Sequence, residues 1–143
     1  MNVVVDTNVA IDYLLNRAPL ATDAKKVMSL VAGDEVKGYL TGNSVADIFY
    51  LTDKHMGGEA AHKAIRLLLK QFSVIGVDGE VCLAALDKPI DDFEDALVVV
   101  CAENANLDYI ITNDKEFLSL DLPVPAISPA DFLAINAGLA DDK

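Results

Sequence analysis

Short apolar runs alternate along the chain with longer stretches in which apolar side chains recur every three or four positions. Val3–Val5, Val36–Leu40, Ser73–Val77, Tyr109–Thr112 and Val124–Ile127 read as short strands. Asp6 or Thr7 is placed to cap a helix with Val9, Ala10, Tyr13 and Leu14 on one face. Pro19 reopens a helix that runs through Lys25, Val27, Met28 and Val31 and stops near Gly33. Asn43 or Ser44 would cap a helix containing Val45, Ile48, Phe49 and Leu51, broken by Gly57-Gly58. Glu59 to Phe72 then form an amphipathic helix with Ile65, Leu68 and Leu69 inward. Further helices are expected from Asp78 to Leu86, from Asp92 onward after Pro89, and from Ser128-Pro129 to near Ala137. Strands alternating with helices of about 10–15 residues mark a parallel sheet covered by helices on both faces, an α/β class.

At 143 residues the chain is long enough for one hydrophobic core. A single domain is expected over residues 1–137, with 138–143 a polar tail that frays from Ala140 to Lys143. The 52% apolar share is mostly aliphatic and contains no Trp, which suits buried parallel strands. No apolar run approaches the roughly 18 residues of a membrane span. No basic region or cleavage site precedes the first strand. Cys82 and Cys101 both lie in apolar helical surroundings, as core thiols in a reducing compartment would, and a cytoplasmic location is expected. The net charge of −12 disfavours loose attraction to nucleic acid. Much of that charge is local, because Asp87, Asp91, Asp92, Glu94 and Asp95 crowd into one short segment. A phosphate substrate would have to be held by metal rather than by surface basicity.

Four acidic segments fall where a strand hands over to a helix: Val3-Val4-Val5-Asp6-Thr7-Asn8, Asn43-Ser44-Val45-Ala46-Asp47, Asp91-Asp92-Phe93-Glu94-Asp95 and Ile110-Ile111-Thr112-Asn113-Asp114. Ligands gather at the carboxyl ends of strands in open α/β sheets. Each acid has a bland reading as well. Asp6 could be only an N-cap, Asp91 and Asp92 with Glu94 and Asp95 match a capping box, and Asn113-Asp114 could be a turn. Asp47 is harder to dismiss, since it lies within a helix flanked by Val45, Ile48 and Phe49, and so is Asp95, which stands where its helix has become apolar. Carboxylates converging at one sheet edge repel one another unless a cation lies among them. Magnesium and manganese prefer such oxygen ligands, and the chemistry this supports is hydrolysis of a phosphodiester.

The opening VVVDTNV, the central DDFEDAL and the later YIITNDKEF together resemble the PIN-domain family of small ribonucleases, which includes VapC-type toxins. The resemblance spans roughly Met1 to Ala137. It implies a three-layer α/β/α sandwich around a central parallel sheet, and Mg2+ or Mn2+ as cofactor. It places Asp6, Asp95 and Asp114 on the family's metal-binding and catalytic acids. Asp47 falls where many members carry Glu, and its shorter side chain would reach a metal through water. Thr7, Asn8, Thr112 and Asn113 would surround the acids, with Thr112 or Asn113 orienting a carboxylate or a water. The implied partners are an RNA substrate, a cognate antitoxin and a second copy of the chain. Cleavage would leave a 5′-phosphate and a 3′-hydroxyl.

Other features compete less well. His55 and His62 would share a helical face only if Gly57-Gly58 did not interrupt it. Lys63, Arg66 and Lys70 share a face that is either solvated or a basic strip for an RNA backbone. Tyr13-Leu14 and Phe49-Tyr50-Leu51 suit either core packing or a dimer or antitoxin surface. Two alternative functions are carried beside the endoribonuclease. One is a non-catalytic module of the same fold that binds RNA or protein. The other is a phosphotransferase using Asp6 as nucleophile, but such enzymes want a second acid where Asn8 stands.

Overall fold

Val3, Val4 and Val5 have no polar side chain to solvate, and the chain buries all three completely at the centre of a sheet. In the computed structural model, which describes residues 1–141, this strand is β1 (Asn2–Val5). It pairs on one side with β2 (Lys37–Thr41), Val3 opposite Gly38, and on the other with β4 (Tyr109–Ile111), Val4 opposite Ile110. β3 (Ser73–Ile75) lies outside β2 and β5 (Ala126–Ile127) outside β4. Every pairing is parallel and the strand order is β3-β2-β1-β4-β5.

Successive strand side chains point to opposite faces, so the valines of β1 serve two cores. Val3 and Val5 join Ile11, Val27, Met28, Ile48, Leu68 and Phe132, beneath α1 (Thr7–Leu14), α2 (Ala21–Ala32), α3 (Gly42–Met56), α4 (Gly58–Gln71) and α8 (Pro129–Asp141). Val4 and Ile110 meet Val98, Val99, Ala102 and Phe117 on the other face. That face is covered by α6 (Phe93–Asn104) and α7 (Lys115–Leu118), with α5 (Gly79–Leu86) packed on α6. The three-layer α/β/α arrangement follows directly.

Several boundaries differ from the sequence reading. β2 runs from Lys37 to Thr41 rather than from Val36 to Leu40, because Lys37 N–H opens the ladder on Met1 O. β3 stops at Ile75, not Val77, since its partner strand ends opposite it at Thr41. β4 stops at Ile111, and β5 contains only Ala126 and Ile127 of the expected four residues. Thr41, not Asn43 or Ser44, stands at the N-cap of α3, and Ser44 Oγ instead lies 2.7 Å from Thr7 Oγ1. Leu69 is 46% exposed, so the inward face of α4 rests on Leu68 and Ala61 with Ile65 partly buried. α8 continues to Asp141, past both the expected end at Ala137 and the start of the frayed tail at Ala140. The last two residues of that tail lie outside the described residues. Among the described residues no helix is long and apolar enough to cross a membrane.

One close approach holds β2 against its covering helices. A Cβ added at Gly38 would stand 2.6 Å from the Phe72 ring and 2.8 Å from Val31 Cγ1. Both neighbours belong to the packed core. Gly38→Ala is therefore expected to destabilise the fold by about 2 kcal/mol through overpacking. Urea unfolding checks this, and an unchanged midpoint would refute the tight fit.

Candidate active site

The strand order reverses direction between β1 and β4, and there the connections leave to opposite sides and open a crevice. Asp6 directly follows β1, and Thr112, Asn113 and Asp114 follow β4. Parallel pairing of Val5 with Ile111 brings these two segments side by side, and Asp6 N–H donates to Ile111 O at 2.9 Å. A cavity of about 270 Å³ opens at this point. It is lined by Asp6, Asp92, Glu94, Asp95 and Asp114 together with Asn8, Asn43 and Arg17, among others.

Each acid reaches the cavity for a local reason. Asp6 has extended backbone as the N-cap of α1, and its Oδ1 accepts from Thr7 N–H at 2.9 Å. Its Oδ2 accepts from Thr112 Oγ1 at 2.8 Å and from Asn8 Nδ2 at 3.1 Å. The carboxylate is thus fixed by three donors. Asp114 caps α7 through Oδ1 to Glu116 N–H, while its own N–H donates to Thr112 Oγ1. Thr112 ties the two acids together through one hydroxyl. Asp92 caps α6 by accepting from Asp95 N–H at 3.0 Å. Capping therefore uses the carboxylate of Asp92 but only the backbone of Asp95, and the Asp95 side chain is left for the cavity.

The electrostatics show how closely the acids crowd. Burial pushes the Asp95 carboxyl up to about 7, and Asp92, Asp6, Asp114 and Glu94 add to the rise. Burial also raises Asp6, with hydrogen bonds from Thr112 and Thr7 opposing and Asp114 and Asp92 reinforcing it. Glu94 is raised by burial and then by Asp47, Asp92 and Asp6. Carboxylates raised by burial and by acidic neighbours at one site are the condition that a divalent cation relieves.

Asp47 does not line the cavity. It lies on α3 four residues from both Asn43 and Leu51, which do line it, and its charge acts on Glu94. Glu94 and Asp92 are the acids that sequence reasoning left as capping residues. The signal for them was the density of acids from Asp91 to Asp95. Among the described residues Asn113 makes no side-chain hydrogen bond to a cavity acid. Its N–H donates to Asn8 Oδ1 at 3.2 Å, and its Nδ2 turns to Asp12 Oδ2 at 3.0 Å. Thr7 uses its hydroxyl on Ser44 and its N–H on Asp6. His55 and His62 each bond a carbonyl of their own helix, Leu51 O and Gly58 O, on separate helices.

The donor set fits a hard divalent cation, because Asp6, Asp92, Glu94, Asp95 and Asp114 bring carboxylates to the cavity and Asn43 Oδ1 is a buried acceptor without a partner among the described residues. Among the described residues no three His, Cys, Asp or Glu side chains stand close enough together to hold a metal ion jointly. Magnesium does not require such a group, since it keeps several waters and takes one or two carboxylates directly.

A family model described as PIN domain matches residues 2–116, a span that contains every acid lining the cavity. No curated protein matches the chain. Among solved structures, VapBC2 from Rickettsia felis bound to a DNA fragment from its promoter is similar with a TM-score of 0.66 at 15% identity, covering 90% of this chain and 98% of that one. A toxin–antitoxin complex from Klebsiella pneumoniae gives 0.65 at 18%, covering 89% and 97%. VapC20 from Mycobacterium tuberculosis, described as a sarcin-ricin loop cleaving toxin, gives 0.61 at 16%, covering 76% and 86%. At these identities the likeness is one of fold.

Proposed function

The chain belongs to the PIN-domain family, and we propose that it is a divalent-metal-dependent endoribonuclease, the toxin member of a toxin–antitoxin pair. The observation that carries this reading is the convergence of Asp6, Asp95 and Asp114 on one cavity, with Asp95 raised to about 7 by burial and by its acidic neighbours. The similar solved structures support the biological half, since they include a sarcin-ricin loop cleaving toxin and a toxin–antitoxin complex. The accompanying partners are RNA, an antitoxin and a second copy of the chain, within the cytoplasm.

Asp6, Asp95 and Asp114 would hold Mg2+ or Mn2+, with Glu94 beside them and Asp47 joining through water. When bound, the ion neutralises the phosphodiester and makes water nucleophilic at neutral pH. The protein's own part is positioning. Thr112 and Asn8 hold Asp6 in one orientation, so no rotamer has to be reorganised when substrate arrives. Thr112 also fixes the backbone of Asp114. Asn8 Nδ2 lies on Asp6 at the position where a nucleophile-type phosphotransferase would want an acid, and this favours hydrolysis.

Induced expression in a bacterial host tests the proposal. The wild type is expected to arrest growth and fragment RNA, and Asp114→Asn to do neither. Growth arrest with RNA intact would remove the ribonuclease reading.

A further inference from the structure

One cation, Arg17, lines the acidic cavity. Arg17 follows α1, which ends in a turn built around Asn16 at φ 51°. Asn16 N–H donates to Tyr13 O and Arg17 N–H to Asp12 O, the paired bonds of a Schellman motif. That turn folds Arg17 back over Asp12, and Arg17 Nε lies 3.6 Å from Asp12 Oδ1. The exposures of the two side chains are opposite, 52% for Arg17 and 6% for Asp12. Asp12 Oδ2 accepts from Asn113 Nδ2, Asn113 N–H bonds Asn8 Oδ1, and Asn8 Nδ2 bonds Asp6. A buried carboxylate is thereby anchored to the same network that orients Asp6, and it carries the guanidinium at the cavity edge.

We propose that Arg17 binds a phosphate of the RNA strand through its terminal amino groups, with Asp12 as the positioning residue that aims it. This rests on the nuclease reading of the cavity. Among the described residues those amino groups make no hydrogen bond, and a guanidinium fork matches two phosphate oxygens. A polyanion entering a cavity lined by Asp6, Asp92, Glu94, Asp95 and Asp114 needs a cation beyond the metal, and Arg17 is the one present. The competing role is purely structural, with Arg17 there only to compensate the buried Asp12.

A mutant cycle separates the two. Wild type, Arg17→Gln, Asp12→Asn and the double variant are assayed for Mn2+-dependent cleavage of a labelled RNA pool. Arg17→Gln should lose about 10²-fold, with Arg17→Lys restoring part of it. Asp12→Asn removes the charge to be compensated. If Arg17 holds phosphate, the double variant should still cleave about 10-fold more slowly than Asp12→Asn, a smaller loss than in the wild-type background because Asp12 no longer aims the guanidinium; if Arg17 serves only Asp12, the two should cleave equally fast. Binding of the pool to the Asp95→Asn protein gives a second readout. Adding Arg17→Gln there should lower the slope of log affinity against log salt by about one. Equal cleavage across the second pair, with an unchanged slope, overturns the proposal. A wild type whose melting temperature does not respond to Mn2+ would instead remove the metal-site reading, and the proposal with it.

Discussion

Asp95→Asn should abolish RNA cleavage, by about 10³-fold or more, and leave the fold intact. Both halves follow from its geometry. The backbone N–H of Asp95 takes the Asp92 cap and is unchanged by the substitution, so α6 still starts where it does. The side chain contributes charge to the cavity and no hydrogen bond among the described residues. The same variant carries a pH signature. The folded carboxyl is held at about 7 against an ordinary value of 3.8, so the neutral form is the one folding favours. Its stabilising effect is fully present below pH ~4 and is lost as pH rises through about 7. Metal-free wild type should therefore be less stable at pH 8 than at pH 5. Asn cannot ionise, so this part of the dependence should vanish, with a gain at pH 8 on the order of 1 kcal/mol after screening at a half-buried group. Full activity, or an unaltered pH dependence of unfolding, would contradict the role given to this carboxyl.

Mn2+ should raise the melting temperature of the wild type and do so far less for Asp6→Asn. An ion at about a hundred times its dissociation constant stabilises by about 2.7 kcal/mol, which is roughly 8 °C for a domain of this size. Asp6 is the acid most firmly oriented, through Thr7, Thr112 and Asn8, and its charge, like that of Asp92, acts on both Asp95 and Glu94. Asn at this position retains an acceptor for one of those donors and loses the charge. A thermal shift of equal size in both proteins would place the metal elsewhere on the surface.

The parts of this site that were legible in the sequence are those fixed by local structure. Asp6 and Asp114 stand directly after short apolar runs, where parallel strands end, and α/β topology gathers such ends. Asp95 stood out because apolar residues follow it immediately. What remained hidden depends on tertiary packing or on one residue serving two purposes. Asp92 reads as a cap and is one, yet it also lines the cavity. Glu94 looks like half of a capping box, yet it lines the cavity, with the charge of Asp47 on α3 acting on it. Asn113 looked like a site residue, but its side chain is drawn to a buried Asp12 that sits unremarked on α1. Arg17 depends on a left-handed turn at Asn16 that the apolar pattern does not encode. The same distinction accounts for the fold. Alternation of strands and helices was readable, while β3 is trimmed by where its partner strand ends and β5 is shortened at its start, by Val124 and Pro125. α7, only four residues long, is too short to show helical periodicity.

The central claim is that one acidic cavity, loaded with a divalent ion, cuts RNA. Incubation of a labelled total-RNA pool with Mn2+, with EDTA, and with the Asp6→Asn/Asp95→Asn protein in Mn2+ tests it most directly. Discrete fragments that require Mn2+ and disappear with the double variant are the predicted result. Fragments that persist in EDTA, or that the double variant still produces, would contradict it.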